Sequence, residues 1–221
     1  MALAIALSIA VESLIALLLA ALILVRFRRT GRRWYLFWGL GVLLVFVTLA
    51  EESALDAGVW SQWLIRSYLV LVAVLVGILS VGSAELALKD WGRKAWIGYV
   101  AASCGACAVV GGLTPISSTI MFQGVVWGLP PTDVVVISSV VAVPSALLLI
   151  VTSLYGAIRE RRTQLLFITA GTAVFSLAGS LYVASFPAAM VYAEFAATLL
   201  LFVGFARVGD RPREVPRPVP S

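Results

Sequence analysis

The stretch from Trp34 to Glu52, WYLFWGLGVLLVFVTLAEE, decides the fold. Tryptophans come first, then an apolar run, then two adjacent carboxylates, the order of an interfacial belt, hydrocarbon and a charged interface. At about 1.5 Å per residue a helix of this length nearly crosses the roughly 30 Å of a bilayer's hydrocarbon. A short polar loop follows, and Arg66 stands just inside the next apolar run, which continues to Leu88. The two runs read as an antiparallel pair of membrane helices, with Glu51, Glu52 and Arg66 near the same end. Charge near hydrocarbon is expensive and normally has a partner or a water-filled cavity.

The same pattern fills the chain. Of 221 residues, 62% are hydrophobic and 12% charged, with a mean hydropathy of +1.05. A soluble fold has too little polar surface to hide that composition. Apolar runs predict seven helices at about 2–25, 34–55, 62–88, 95–113, 134–158, 164–184 and 187–205. The fold class is therefore all-α, a polytopic membrane bundle over residues 1–206 with a Pro- and Arg-rich disordered tail at 207–221. The first run lacks the basic start and cleavage site of a signal peptide and reads as a retained helix. Pro144 inside the fifth predicts a kink.

Fifteen of the sixteen Lys and Arg residues fall at one set of helix ends, and only Arg66 at the other. The positive-inside rule then puts the N-terminus outside and the C-terminus in the cytoplasm of a multi-pass plasma-membrane protein. Trp34, Trp38, Trp91 and Trp96 belong to the inner aromatic belt, and Trp60, Trp63 and Trp127 to the outer one. Because the basic residues sit in loops between apolar runs, the net charge of +5 points to topology and not to nucleic acid. Arg26-Phe-Arg-Arg-Thr30 and Arg159-Glu-Arg-Arg-Thr163 each precede a helix, an outer loop and another helix. That is the pattern of two parallel three-helix repeats joined by the fourth helix, although any inner loop is arginine-rich.

Histidine is absent, which removes the Ser-His-Asp triad and the commonest zinc and haem ligand. With no nucleophile–base pair and no metal-ligand set, neither enzymatic activity nor a cofactor is expected. Binding chemistry is expected instead from Glu12, Glu51, Glu52, Arg66 and Glu194, all in the outer half of the membrane. Glu12 lies roughly 15 Å and Glu194 roughly 12 Å inside their helices. If the first, second, third and seventh helices adjoin, these groups converge on an outward-facing cavity, with Arg66 as counter-ion to Glu194 or Glu51. Such a site suits a small solute or a proton. The plainer reading leaves Glu51, Glu52 and Arg66 solvated at the interface and Glu12 and Glu194 as interhelix hydrogen bonders. Glu85 is expected to pair with Lys89 one turn on.

Cys104-Gly-Ala-Cys107 has the spacing of a redox pair, but it lies in a small-residue run suited to close helix packing. The connection from Thr114 to Asp133 is too apolar for a solvated loop. It can cap the bundle, form a short hairpin around Gln123-Gly124, dip into the interface or act as a lid.

The seven-helix layout with its N-terminus outside resembles the microbial rhodopsins, but Tyr192 to Phe205 lacks their retinal-binding lysine. It also resembles the seven-helix sugar transporters built as three-plus-one-plus-three helices, without their Pro-Gln motif. A closer resemblance is to a loose group of prokaryotic seven-helix membrane proteins of unassigned activity. It rests on the arginine-rich turn before Trp34, the acidic end of the second helix, Val76-Gly-Ile-Leu-Ser-Val-Gly82 and Gly128-Leu-Pro-Pro131. Ala193-Glu-Phe and Leu201-Phe-Val-Gly-Phe205 complete it. This resemblance implies the fold and no activity. The bilayer is the expected partner, with a second copy or another membrane protein as a further candidate. A non-transporting sensor or a subunit of a larger complex is the competing functional class.

Overall fold

The computed structural model describes residues 2–59, 61–116, 121–122, 125–126, 130–159, 163–183 and 187–208. Seven helices run through them: α1 (Ala2–Thr30), α2 (Arg33–Asp56), α3 (Gln62–Ala87), α4 (Asp90–Leu113), α5 (Thr132–Arg159), α6 (Gln164–Val183) and α7 (Pro187–Val208). Five of them, α1 to α5, are long and apolar enough to cross a membrane. Two-residue strands β1 (Met121–Phe122) and β2 (Val125–Val126) pair antiparallel, and β2 rests on α2. The tail from 209 onward, Trp60, Trp127 and Gln123-Gly124 lie outside the described residues.

Helix ends depart from the limits of the apolar runs for local reasons. α1 carries its arginines as a last helical turn, because their long stems follow the helix while the guanidiniums reach the interface. Gly31 (φ 66°) then reverses the chain in a conformation that only glycine adopts freely, and Gly58 (φ 83°) does the same after α2. Ser61 caps α3 by accepting from the Trp63 N–H at 3.3 Å. Between α3 and α4 only Leu88 and Lys89 are non-helical, so α4 folds straight back along α3. That tight return brings Arg93 to Glu85 at 3.4 Å and to Asp90 at 2.8 Å. Glu85 therefore pairs with Arg93 and not with Lys89, which is spent as the extended N-cap residue of α4.

The neighbours form a ring. α1 lies beside α2, α2 beside α3, α3 beside α5, α5 beside α6 and α6 beside α7, and α7 closes on α1. α4 stands outside, packed on α3 and α5. The order is unchanged when α1, α2 and α3 are exchanged for α5, α6 and α7, as two parallel three-helix units would give. All six ring helices contribute to one buried cluster, including Leu19, Ile23, Val42, Leu79, Leu149, Ile168 and Phe205. Leu14, Leu18, Val109, Val143 and Leu147 face outward, the apolar surface a lipid-embedded bundle presents.

Close approaches make the ring tight. A Cβ on Gly204 of α7 would lie 3.0 Å from the backbone nitrogen of Ile168 in α6, so only glycine permits that contact. In α5, Pro144 leaves the Val140 carbonyl without its helical partner, and the Tyr99 hydroxyl of α4 donates to it instead.

Candidate functional site

Adjacent residues on a helix point about 100° apart, so Glu51 and Glu52 face different neighbours. Glu51 turns toward α3, where the Ser67 hydroxyl donates to Oε1, and its Oε2 is buried without a hydrogen-bond partner. Glu52 turns into the ring and is buried, 3% exposed. Glu12 of α1 is buried more deeply still, at 1%, and accepts a hydrogen bond of 2.7 Å from the Thr198 hydroxyl of α7. Glu194, one turn before Thr198, lies within electrostatic range of both Glu52 and Glu12. Three carboxylates from α1, α2 and α7 thus share one interior.

The ring explains why these three meet. α1 touches both α2 and α7, so groups at a similar depth on those helices face a common space. Among the described residues, no cationic side chain is among the groups acting on Glu12 or Glu194. Arg66 does not join them. It faces the other way, where its Nε donates to the Thr114 carbonyl at 3.1 Å and its guanidinium lies 5.6 Å from the centre of the Trp63 ring. Thr114 is the C-cap of α4, so the guanidinium meets the negative end of that helix. Nearby, the Gln62 side chain bonds both the carbonyl and the N–H of Ile116, fastening the chain that leaves α4.

Cys104 and Cys107 are free thiols. They pack into the α3–α4–α5 contact with Ala73, Val141 and Ile137, with Cys107 Sγ 3.9 Å from the Ser138 hydroxyl. Among the described residues, no three Cys, Asp or Glu side chains are spaced to hold a metal ion.

Two participants escape a reading of charges alone. Thr198 is uncharged, although its place one turn after Glu194 puts it on the same helix face. Arg26 looks like one more topological arginine, yet its Nη1 and Nη2 donate to the Phe205 and Ala206 carbonyls of α7 at 2.9 and 2.8 Å. It thereby ties the end of α7 to α1 and closes the ring. A cavity of about 760 Å³ opens at this arginine-rich end, opposite the carboxylates, between α2, α3, α5 and α6.

No protein family, curated protein or solved structure matches the chain.

Proposed function

We propose that the protein is a non-enzymatic plasma-membrane bundle that binds a proton, or moves it across the membrane, at Glu12, Glu52 and Glu194. The convergence of these three carboxylates carries the reading. Grouped negative charge in a medium of low dielectric needs positive charge beside it, and intramembrane acids of this kind mark proton and ion pathways. Among the described residues, no arginine is among the groups acting on Glu12 or Glu194, and no three carboxylates are spaced as a metal-ligand set. A proton fits where a divalent ion does not. Thr198 orients Glu12, and Glu51 with Ser67 stands at the outer margin as the next acceptor. By the positive-inside rule the carboxylate end faces outward.

Proton flux into proteoliposomes under an imposed voltage tests this. Wild type should exceed empty liposomes, and Glu12→Gln or Glu194→Gln should reduce the flux to background. Absence of flux from folded wild-type protein removes transport and leaves binding alone. Unchanged flux in both variants removes the cluster from the pathway.

One observation favours the competing reading of a subunit. Gly98, Gly105 and Gly112 repeat every seventh residue along α4, and a Cβ at any of them would meet nothing within 4 Å. Gly98, Ala101, Ala102, Gly105 and Ala108 are exposed on this peripheral helix. Membrane helices use such small-residue faces to pack against one another. A second copy or a partner helix would cover this one, and Gly105→Leu would then dissociate the assembly in detergent.

A further inference from the structure

The cavity at the arginine-rich end has a chemistry unlike that of the carboxylate cluster. Its volume of about 760 Å³ is in the range of small-molecule sites. Arg32 and Arg159 both line it. The carboxylates Glu85 and Asp90 at this end of the bundle are taken by Arg93. The backbone N–H of Arg32 donates to the Thr30 hydroxyl and its carbonyl accepts from the Tyr35 N–H, and among the described residues no carboxylate pairs with its guanidinium. Arg159 donates to the Tyr155 hydroxyl and lies over its ring, and among the described residues no carboxylate pairs with it.

Two helix N-termini open onto the same space. α2 begins beside Arg32 and α6 begins at Gln164, both of which line the cavity. No side chain caps α2. The free N–H groups and dipoles of the first turns favour an anion. Deeper in, Trp38 is 3% exposed, lines the cavity, and has an indole N–H without a hydrogen-bond partner.

The remaining walls are apolar. Leu86 of α3 and Val151 and Tyr155 of α5 line the cavity while being 53%, 60% and 54% exposed, so it is open along the gap between these two helices. α3 and α5 are close at Gly77 and Val141, and Pro144 interrupts α5 between that contact and the gap.

We infer that this cavity binds a phosphate-bearing anionic amphiphile, a phospholipid of the surrounding leaflet. Its phosphate lies between Arg32 and Arg159 at the two helix N-termini, and its chain lies in the α3–α5 gap. Basic pockets between helices on the cytoplasmic side are suited to such headgroups. The shared chemistry, a phosphate between two guanidiniums, would also accept soluble phosphate. The apolar, laterally open wall is what favours the lipid.

Native mass spectrometry of the full chain in detergent, titrated with phosphatidylglycerol or phosphatidylcholine, provides the test. Phosphatidylglycerol should be retained preferentially. Arg32→Gln with Arg159→Gln should weaken it by at least about tenfold. Arg28→Gln with Arg29→Gln removes the same charge from exposed positions on α1 and should leave the preference intact. Val151→Trp, which fills the gap without touching the arginines, should also weaken lipid binding. Equal retention of the two lipids by wild type overturns the inference, as does an equal loss in the two arginine pairs. Inorganic phosphate that displaces the lipid at equal concentration, with Val151→Trp having no effect, replaces the lipid by a soluble anion. Each variant is compared at matched thermal stability. An unfolded arginine variant leaves Val151→Trp to decide the question.

Discussion

At one end of the ring Glu12, Glu52 and Glu194 turn inward from three helices, while at the other Arg26 turns to carbonyl groups and Arg32 and Arg159 to an open cavity. At the first end Glu12 and Glu52 are buried, and Glu12 is held by a threonine hydroxyl. The second is exposed at Arg32 and Arg159, and it is held by packing and helix termini. A carboxylate buried in a medium of low dielectric is costly, so its place is not set by topology alone. An arginine at an interface costs little, and its position alone signals topology. Charge therefore carries different information at the two ends, and substitutions can separate them.

The largest expected stability effect is at the packed, arginine-rich end. A Cβ on Gly82 would lie 2.3 Å from Cδ1 and 2.6 Å from Nε1 of Trp38, and 3.1 Å from the Trp34 carbonyl. Gly82→Ala should destabilise the protein by about 1–3 kcal/mol through overpacking, measured by unfolding in a mixed-micelle titration. Gly105→Ala is the control, because its Cβ meets nothing within 4 Å and the substitution favours the helix. Equal midpoints for the two variants would remove packing as the distinction between the ends.

A smaller effect is expected at Arg26. Arg26→Ala leaves the Phe205 and Ala206 carbonyls without their donors and should cost about 1–2 kcal/mol. Arg26→Lys should recover part of this, since an ammonium supplies the charge but not the two-pronged geometry. Full recovery by lysine would show that topology and charge are all that matters at this position.

Helix number and the ends of the apolar runs were legible because hydropathy over some twenty residues is a strong signal. Neighbour relations were not. Nothing in the spacing of Glu12, Glu52 and Glu194 says that α1 touches α2 and α7, and nothing in Arg66 says that it faces α4. Arg66 shows the reason most clearly: sequence distance suggested a carboxylate, but helix rotation gave it a carbonyl 48 residues away. The Tyr99–Val140 bond was half legible, since Pro144 identifies the carbonyl it frees but not the donor that finds it. Glu51 and Glu52 are legible as a pair, and only their rotation about α2 assigns them to different partners.

The smallest stability effect is expected at the carboxylate end and bears most directly on its nature. Thr198→Val keeps the shape of the side chain and removes the hydroxyl that donates to Glu12. Interhelix hydrogen bonds in membranes are worth about 0.6 kcal/mol on average and up to about 1.7. The same range is expected here, read in the same unfolding titration, with Thr198→Ser restoring the wild-type midpoint. Its effect on proton flux should exceed its effect on stability, because the hydroxyl holds Glu12, one of the three carboxylates proposed to take the proton. A variant that loses stability while keeping full flux would make Thr198 a packing residue and leave Glu12 to act without it. One that keeps stability and loses flux would place the hydroxyl in the pathway. The two ends would then differ in kind: side chains at the arginine-rich end hold the ring closed, while those at the carboxylate end serve the proton.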